Sequence, residues 1–169
     1  DKAVYHVENQ HTTLTGGDLK IISGNNILTA QDKIEYFGTD NKVTARGRPR
    51  AEYAQGTDKK VIEADIMHGY FTKNAQGNLQ LSRVDASGNV VIVTQAEVLK
   101  GDKDTYKLAQ EQAELSGNVK ITRGSNQLNG DRAVLDMVKG TSTLMATNQD
   151  GAPKKRVQGL FFLGGNDTN

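Results

Sequence analysis

The stretch of sequence that decides the fold is Leu115-Ser-Gly-Asn-Val-Lys-Ile-Thr-Arg-Gly-Ser-Asn-Gln-Leu-Asn-Gly-Asp-Arg-Ala-Val-Leu-Asp136. Apolar and polar residues alternate from Val119 to Thr122, and the turn-forming residues Gly117-Asn118 and Gly124-Ser125-Asn126 lie on either side. Short alternating runs between such turns are typical of β-strands joined by hairpins. The stretch therefore predicts consecutive antiparallel strands.

This pattern recurs along the chain, which indicates an internal repeat. One sub-block begins with an apolar residue, then any residue, Ala or Gly, and Asp or Gln. It occurs at Leu28–Phe37, Ile62–Phe71, Leu99–Leu108 and Leu128–Met137, with starts 34, 37 and 29 residues apart. A second sub-block with a Gly turn precedes it at Leu14–Ile21, Val84–Ile92 and Ala113–Ile121. The predicted unit is strand, Gly turn, strand, polar turn, strand.

Side chains alternate between the two faces of a strand, so every second residue from Leu28 is expected on one inner face. The opposite face would carry Thr29, Gln31, Lys33 and Glu35, as in an antiparallel sheet with one apolar and one wet side. The same ungapped count assigns to the inner face Ala30, Ile34 and Tyr36 in the first unit, Ile62, Ala64, Ile66 and Tyr70 in the next, and Leu128, Gly130 and Val134 in the last.

The composition narrows the function classes. The chain has 169 residues and no run near the ~20 apolar residues that a membrane-spanning helix needs. Its 21 basic and 20 acidic residues give a net charge of +1, which argues against wholesale disorder and against nucleic-acid binding. The basic run Lys154–Arg156 is interpreted as a solvated linker, with contact to an anionic head group as the alternative.

Motifs of catalysis and metal binding are missing from the sequence. There is no cysteine, and His6, His11 and His68 have no partners at metal-ligand spacing. No nucleophile elbow, phosphate-binding loop or dinucleotide fingerprint occurs. We therefore expect a protein that is not an enzyme and that uses no cofactor and no metal.

The repeat pattern also predicts the domain boundaries. Asp1 and Gly16 are as far apart as Asp102 and Gly117, so the chain is expected to begin partway through a repeat. We predict one domain over residues 1–163, with a truncated first repeat, followed by a disordered tail over 164–169. The apolar run Leu160–Leu163 is either a last strand closing the core or an edge strand or tail that docks on a neighbour or on lipid.

The segments Leu14–Ala30 and Leu115–Asp136 resemble the OstA/LptA-type family of lipopolysaccharide transport proteins, and the resemblance spans most of residues 1–147. It implies an all-β fold, an elongated open antiparallel β-jelly roll built from repeated strand units, in the periplasm of a Gram-negative bacterium. LptA, the periplasmic domain of LptC and the N-terminal domain of LptD share this fold. The LptA type is favoured because the sequence lacks a membrane anchor, lacks the cysteines associated with LptD and has a repeated Leu-(Ser/Thr)-Gly pattern.

The resemblance further implies that an apolar groove shields the acyl chains of lipid A while head groups stay outside. Implied partners are lipopolysaccharide and LptC-like and LptD-like jelly-roll domains, joined by edge-strand pairing, and the same edges allow head-to-tail self-association. Ordinary core packing is the alternative role for the predicted lipid-contacting wall, which comprises Leu19, Ile21, Leu28, Ile34, Tyr36, Ile62, Ile66, Tyr70, Leu81, Val90, Ile92, Val119, Ile121, Leu128 and Val134.

Two alternative functions stay open at this point. The first is an LptC-type periplasmic domain of an inner-membrane complex, which has the same fold. The second belongs to another class: a β-scaffold that binds sugar or protein and never contacts lipid.

Overall fold

A computed structural model describes residues 1–55, 58–146 and 156–160. Most of these residues lie in strands, and one 3-10 turn occurs at Leu108–Gln110. The predicted tail 164–169, Phe161–Leu163 and most of the predicted linker lie outside the described residues. The strands are β1 (Lys2–His6), β2 (His11–Thr15), β3 (Leu19–Ser23), β4 (Asn26–Ala30), β5 (Lys33–Phe37), β6 (Lys42–Arg46), β7 (Arg50–Gln55), β8 (Asp58–Glu63), β9 (Ile66–Lys73), β10 (Leu79–Val93), β11 (Val98–Lys107), β12 (Gln112–Arg123), β13 (Asn126–Asp136), β14 (Thr141–Met145) and β15 (Gln158–Leu160).

All described strand pairs are antiparallel, and together they form one continuous sheet that folds over into two layers. The first layer has the order β1-β2-β5-β6-β9-β10-β11-β12-β13-β14. The second runs β3-β4-β7-β8 and continues through the other halves of β10 to β13 to β15. The four long strands thus belong to both layers, and the sheet does not close into a barrel. This confirms the predicted open, all-β jelly roll.

Each end of the described fold exposes two edge strands. β1 pairs only with β2, and β3 pairs only with β4. At the other end, β14 and β15 pair only with β13. Leu160 is the last described residue of β15 and is more than half exposed, so the described part of the Leu160–Leu163 run lies in an edge strand.

The long strands β10 and β12 cross from one layer to the other at β-bulges, and the bulges at Gly88 and Gly117 are each occupied by an Asp-Gly contact. Gly117 and Asn118 both have positive φ, at 78° and 48°, where the register between β12 and β13 shifts. A Cβ atom at Gly117 would lie 2.3 Å from Oδ2 of Asp102 in the adjacent strand. The Nδ2 group of Asn118 donates a hydrogen bond to the same oxygen at 2.9 Å. Only glycine fits this position, because the backbone there is in the left-handed region and Asp102 leaves no room for a side chain.

The same contact recurs along the fold. Asp65 packs on Gly88 and accepts a hydrogen bond from Asn89 at 2.9 Å. A Cβ atom at Gly47 would lie 2.4 Å from Cβ of Asp32. At the N-terminal end, Asp1 occupies the equivalent position against Gly16, which explains the equal spacing in the sequence. The Asp of the repeat is therefore a turn-bonding residue at the bend between layers.

These aspartates define which residues point inward after the bend. The second and fourth residues beyond the Asp face the interior: Met67 and Gly69 after Asp65, and Ala133 and Leu135 after Asp131. In the first unit the extra residue Gln31 precedes Asp32. Ile34 and Tyr36 therefore face inward one position further from the start of the sub-block than their counterparts in the other units. The assignment of faces by the ungapped count is therefore correct beyond the bend in the first unit and wrong in all the units that lack the extra residue.

The predicted inward orientation of Ile66, Tyr70 and Val134 is wrong for this reason. Ile66 pairs across strands with Arg46 and Ser87 on the outer face. The Tyr70 ring lies outside under the guanidinium of Arg83, 4.1 Å from the ring centroid. Val134 lies between two inward residues, Ala133 and Leu135, and so points outward.

We predict that the Asp-Gly contact is a major source of stability. Gly124 and Gly117 both have positive φ, but a Cβ atom at Gly124 would meet no atom within 4 Å. We expect Gly124→Ala to cost about 1 kcal/mol of unfolding free energy, the left-handed penalty alone. Gly117→Ala adds a steric clash and should cost roughly 3 kcal/mol. Urea unfolding of both variants measures the difference, and equal losses would contradict the prediction.

Candidate functional site

A groove with a volume of about 690 Å³ lies between the two layers in the N-terminal part of the fold. Its mouth is on the side away from the Asp-Gly bends and has a polar rim that includes Ser23, Asn26, Thr72 and Gln80. The second layer and the first layer each contribute one apolar wall. The main apolar lining residues are Ile21, Leu28, Ala51 and Tyr53 on one side and Tyr36, Met67, Phe71, Leu81 and Val84 on the other.

Two aromatic pairs shape this groove. Tyr36 and Phe71 meet edge to face within its first-layer wall, with centroids 6.4 Å apart. Tyr53 meets Tyr106 edge to face at 5.9 Å, and Tyr106 packs behind it rather than lining the groove. Burial raises the pKa of the Tyr53 hydroxyl, so this group stays neutral at physiological pH. The groove thus ends at a neutral, amphipathic ring.

Beyond this pair, the C-terminal part of the described fold is closed. Leu99 and Leu115 are fully buried between the layers there. Across the mouth, the Ser142 hydroxyl donates a hydrogen bond to Glu97, which also forms an ion pair with Arg123 at 3.0 Å. Glu97 lies in the turn between β10 and β11 of the second layer, whereas Ser142 lies in β14 of the first. We call this Glu97–Ser142 hydrogen bond the mouth contact, because it joins the two layers.

Asp104 is a carboxyl group buried in this interior. It is 2% exposed, and neither of its oxygens has a hydrogen-bond partner. Burial, together with the negative charges of Asp85 and Glu114, raises its pKa to about 7, while the nearby N–H of Thr105 opposes the shift. The carboxyl is therefore partly protonated near neutral pH.

The predicted lipid-contacting residues fall into three groups. Ile21, Leu28, Tyr36 and Leu81 line the groove. Ile66, Tyr70 and Val134 lie on the outer face, as described above. The others pack inside the core, with Leu128 only partly buried there: Leu19, Ile34, Ile62, Val90, Ile92, Val119, Ile121 and Leu128.

Sequence reasoning missed several groove residues and Asp104. Met67 would have been found if the repeats had been aligned on the bend aspartate, because it is the second residue after Asp65. Tyr53 lies in β7, outside the recurring sub-blocks, and no pattern pointed to it. Asp104 carries no sequence signal of its own, because an acidic residue in a strand between Lys103 and Thr105 is typical of a solvated face.

The outer face of the first layer is polar and charged. The carboxylate oxygens of Glu35 lie 2.7 Å from Nζ of Lys33 and 3.2 Å from Nη1 of Arg46. The hydrogen bond from Lys33 holds the pKa of the Glu35 carboxyl below its usual range.

No cluster of His, Asp and Glu that could hold a metal occurs among the described residues. No helix in the described part of the chain is long and apolar enough to cross a membrane. The arrangement is suited to holding apolar chains inside a water-facing shell.

The raised pKa of Asp104 predicts a loss of stability with rising pH. Between the usual Asp value and about pH 7, the folded state holds more protons than the unfolded chain, so raising the pH favours unfolding. We expect this carboxyl to cost roughly 3 kcal/mol more at about pH 8 than at about pH 5. Asp104→Leu should remove that cost, so urea unfolding should show a larger gain over wild type at the higher pH.

His68 makes stability depend on pH in the opposite direction. Because His68 is present in both proteins, its effect cancels when Asp104→Leu is compared with wild type at each pH. Burial lowers the pKa of that imidazole, so its contribution to stability is lost as pH falls. A gain of equal size at both pH values would show that Asp104 has an ordinary pKa.

Comparisons with known proteins agree with this architecture. The family model described as LptA/(LptD N-terminal domain) LPS transport protein matches residues 17–141 and 98–156. Eleven chains of solved structures match. One is LptH from Pseudomonas aeruginosa, described as the LptA homologous periplasmic component of the conserved lipopolysaccharide transport device. It has a TM-score of 0.59 and 15% identity over 92% of this chain and 97% of LptH, a likeness that shows the fold. No curated protein matches the chain.

Proposed function

Because the chain belongs to the LptA/LptD N-terminal domain family of lipopolysaccharide transport proteins, we propose that it shields the acyl chains of lipid A in the groove between its two layers. The observation that carries this proposal is an apolar interior with a mouth open to water along one side. Acyl chains can enter between the layers, and the sugar and phosphate groups can remain at the polar rim. The charged outer face of the first layer keeps the loaded protein in water.

Transfer of acyl chains from water supplies the binding energy without any catalytic group. Each buried CH₂ contributes about 0.8 kcal/mol, so a few chain segments suffice for useful affinity. The groove residues Ile21, Leu28, Tyr36 and Leu81 are our proposed first contacts. Leu19 and Ile34 pack behind the groove in the N-terminal cluster. The other interior residues, Ile62, Val90, Ile92, Val119, Ile121 and Leu128, belong to the larger cluster and would contact lipid only when the closed C-terminal part opens, which requires the mouth contact to break.

Site-specific photocrosslinking tests the groove. We expect a crosslinker at Ile21, Tyr36 or Leu81 to label lipopolysaccharide in transport-competent cells, because these side chains face the groove. Tyr70 and Lys33, on the outer face of the same layer as Tyr36, should label weakly or not at all. Equal labelling from both sets would show that the lipid does not occupy the groove, and would favour a scaffold that binds sugar or protein.

We also propose that the protein works in the periplasm as a bridge, by head-to-tail stacking of its edge strands. β1 and β3 at one end, and β14 and β15 at the other, carry backbone groups without strand partners in the described fold. Such edges add strands from another domain readily. Stacking on LptC-like and LptD-like jelly-roll domains would align successive grooves between the two membranes.

We propose a single domain over residues 1–163, whose described strands reach Leu160. An LptC-type periplasmic domain remains the alternative within the fold.

Cysteine crosslinking tests the stacking, since the chain has no native cysteine. Val4 in β1 and Thr143 in β14 occupy corresponding outer-face positions at opposite edges of the first layer. Under mild oxidation, Val4→Cys/Thr143→Cys should form a ladder of disulfide-linked oligomers, visible on a non-reducing gel. A mixture of the two single variants should stop at mixed dimers, and a Lys103→Cys control should stay monomeric. Monomers in every sample would contradict head-to-tail stacking.

A further inference from the structure

Asp104 is out of place in the repeat that contains it. It is the second residue after the bend aspartate Asp102, and this position faces the interior after Asp32, Asp65 and Asp131 as well. The corresponding residues in the other units are Ile34, Met67 and Ala133, all buried and apolar. Packing therefore does not require a carboxyl group here.

No other residue in the described part of the chain satisfies this carboxyl. Its two oxygens have no hydrogen-bond partner. The charged groups that act on it, Asp85 and Glu114, are negative and disfavour its ionised form. An unpaired carboxyl buried among apolar side chains costs stability, so its presence calls for a partner that arrives with a ligand.

The carboxyl lies beside the groove, outside its lining, in the same inward row as the groove residue Met67 two strands away. Asp104 pairs across strands with Ala86, and Val84, the preceding inward residue of β10, lines the groove. Diagonal neighbours on one sheet face are roughly 7–8 Å apart, and only the small, buried side chain of Ala86 lies between Met67 and Asp104 in their row. The Tyr53–Tyr106 pair stands beside this approach, and Asp104 is close enough to affect the titration of both tyrosines. Asp104 is therefore a polar group within reach of a chain that extends past Tyr53 when the layers separate there.

We propose that Asp104 is a specificity residue of the groove, which hydrogen-bonds a hydroxyl group carried on the acyl chain of the bound lipid. This inference rests on the proposed lipid-shielding function. A hydroxyl group fits because it can donate to the carboxylate or accept from the carboxylic acid. It also enters an apolar interior at far lower cost than an ion.

A cation is a poorer ligand for this site. A metal ion needs several ligands, and no cluster that could hold one was found among the described residues. An organic ammonium group would have to lose its hydration deep between two apolar layers, for contact with a single carboxyl. A neutral hydroxyl on an otherwise apolar chain needs only one polar partner and carries no charge into the apolar interior.

The test compares two neutral probes, the methyl esters of β-hydroxydecanoic acid and decanoic acid, in displacement of an environment-sensitive fluorescent lipid. Wild type should bind the hydroxylated ester about tenfold more tightly, as expected for a hydrogen bond to a charged or ionisable group. In Asp104→Leu the preference should vanish or reverse, because the hydroxyl then loses its partner. Asp104→Asn, which can still donate and accept, should keep part of the preference.

Glu35→Gln is the matched control, since it removes a carboxylate from the outer face of the same layer, one that does not act on Asp104, and should leave the preference unchanged. The same preference in wild type and Asp104→Leu, or none in wild type, would overturn the role of Asp104 while leaving the groove proposal intact. If wild type binds neither ester, the lipid groove itself fails. Ile34, Met67 and Ala133 show that the fold accepts an apolar residue here, and Asp104→Asn provides a second variant if Asp104→Leu does not fold.

Discussion

The contact between a bend aspartate and a glycine in the neighbouring strand is the constraint on which the rest of this structure depends. Each long strand must leave one layer and enter the other without breaking the hydrogen-bonded sheet. The left-handed Gly-Asn pair produces the bulge, and the Asp side chain fills the space where a Cβ atom would be, as at Gly117 and Asp102. Because the same contact recurs at Asp1, Asp32 and Asp65, the bends line up and the two layers face one another along the fold.

Alignment of the bends creates an interior with one closed side and one open side. The closed side is covalently continuous, since β10 to β13 run through it. The open side is held only by what meets across the mouth, and this differs along the chain. In the N-terminal part the layers leave a groove, whereas in the C-terminal part Leu99 and Leu115 fill the interior and Glu97 meets Ser142. Passage of a lipid through the whole interior would require this second part to separate.

Much of the fold could be predicted from the sequence, because strand length, turn residues and alternation are local properties. The sub-block with the Gly turn and the sub-block with Asp or Gln predicted the antiparallel strands, and the family resemblance implied that the sheet is open. The prediction of faces failed at Ile66, Tyr70 and Val134 for a definite reason. The first unit carries the extra residue Gln31, and with a period of two a single insertion moves every later side chain to the opposite face.

Alternation and turn residues are local properties, so the residues alone predict a repeated, antiparallel, all-β chain with one apolar face. The open jelly roll was what the family resemblance implied. Only the tertiary structure decided which apolar residues line open space and which pack against each other. Ile21 and Ile121 look alike in the sequence, but the first borders a groove and the second is buried in the core. That difference depends on how far apart the two layers stand at each point, a distance set by contacts such as Glu97 with Ser142 between residues 45 positions apart.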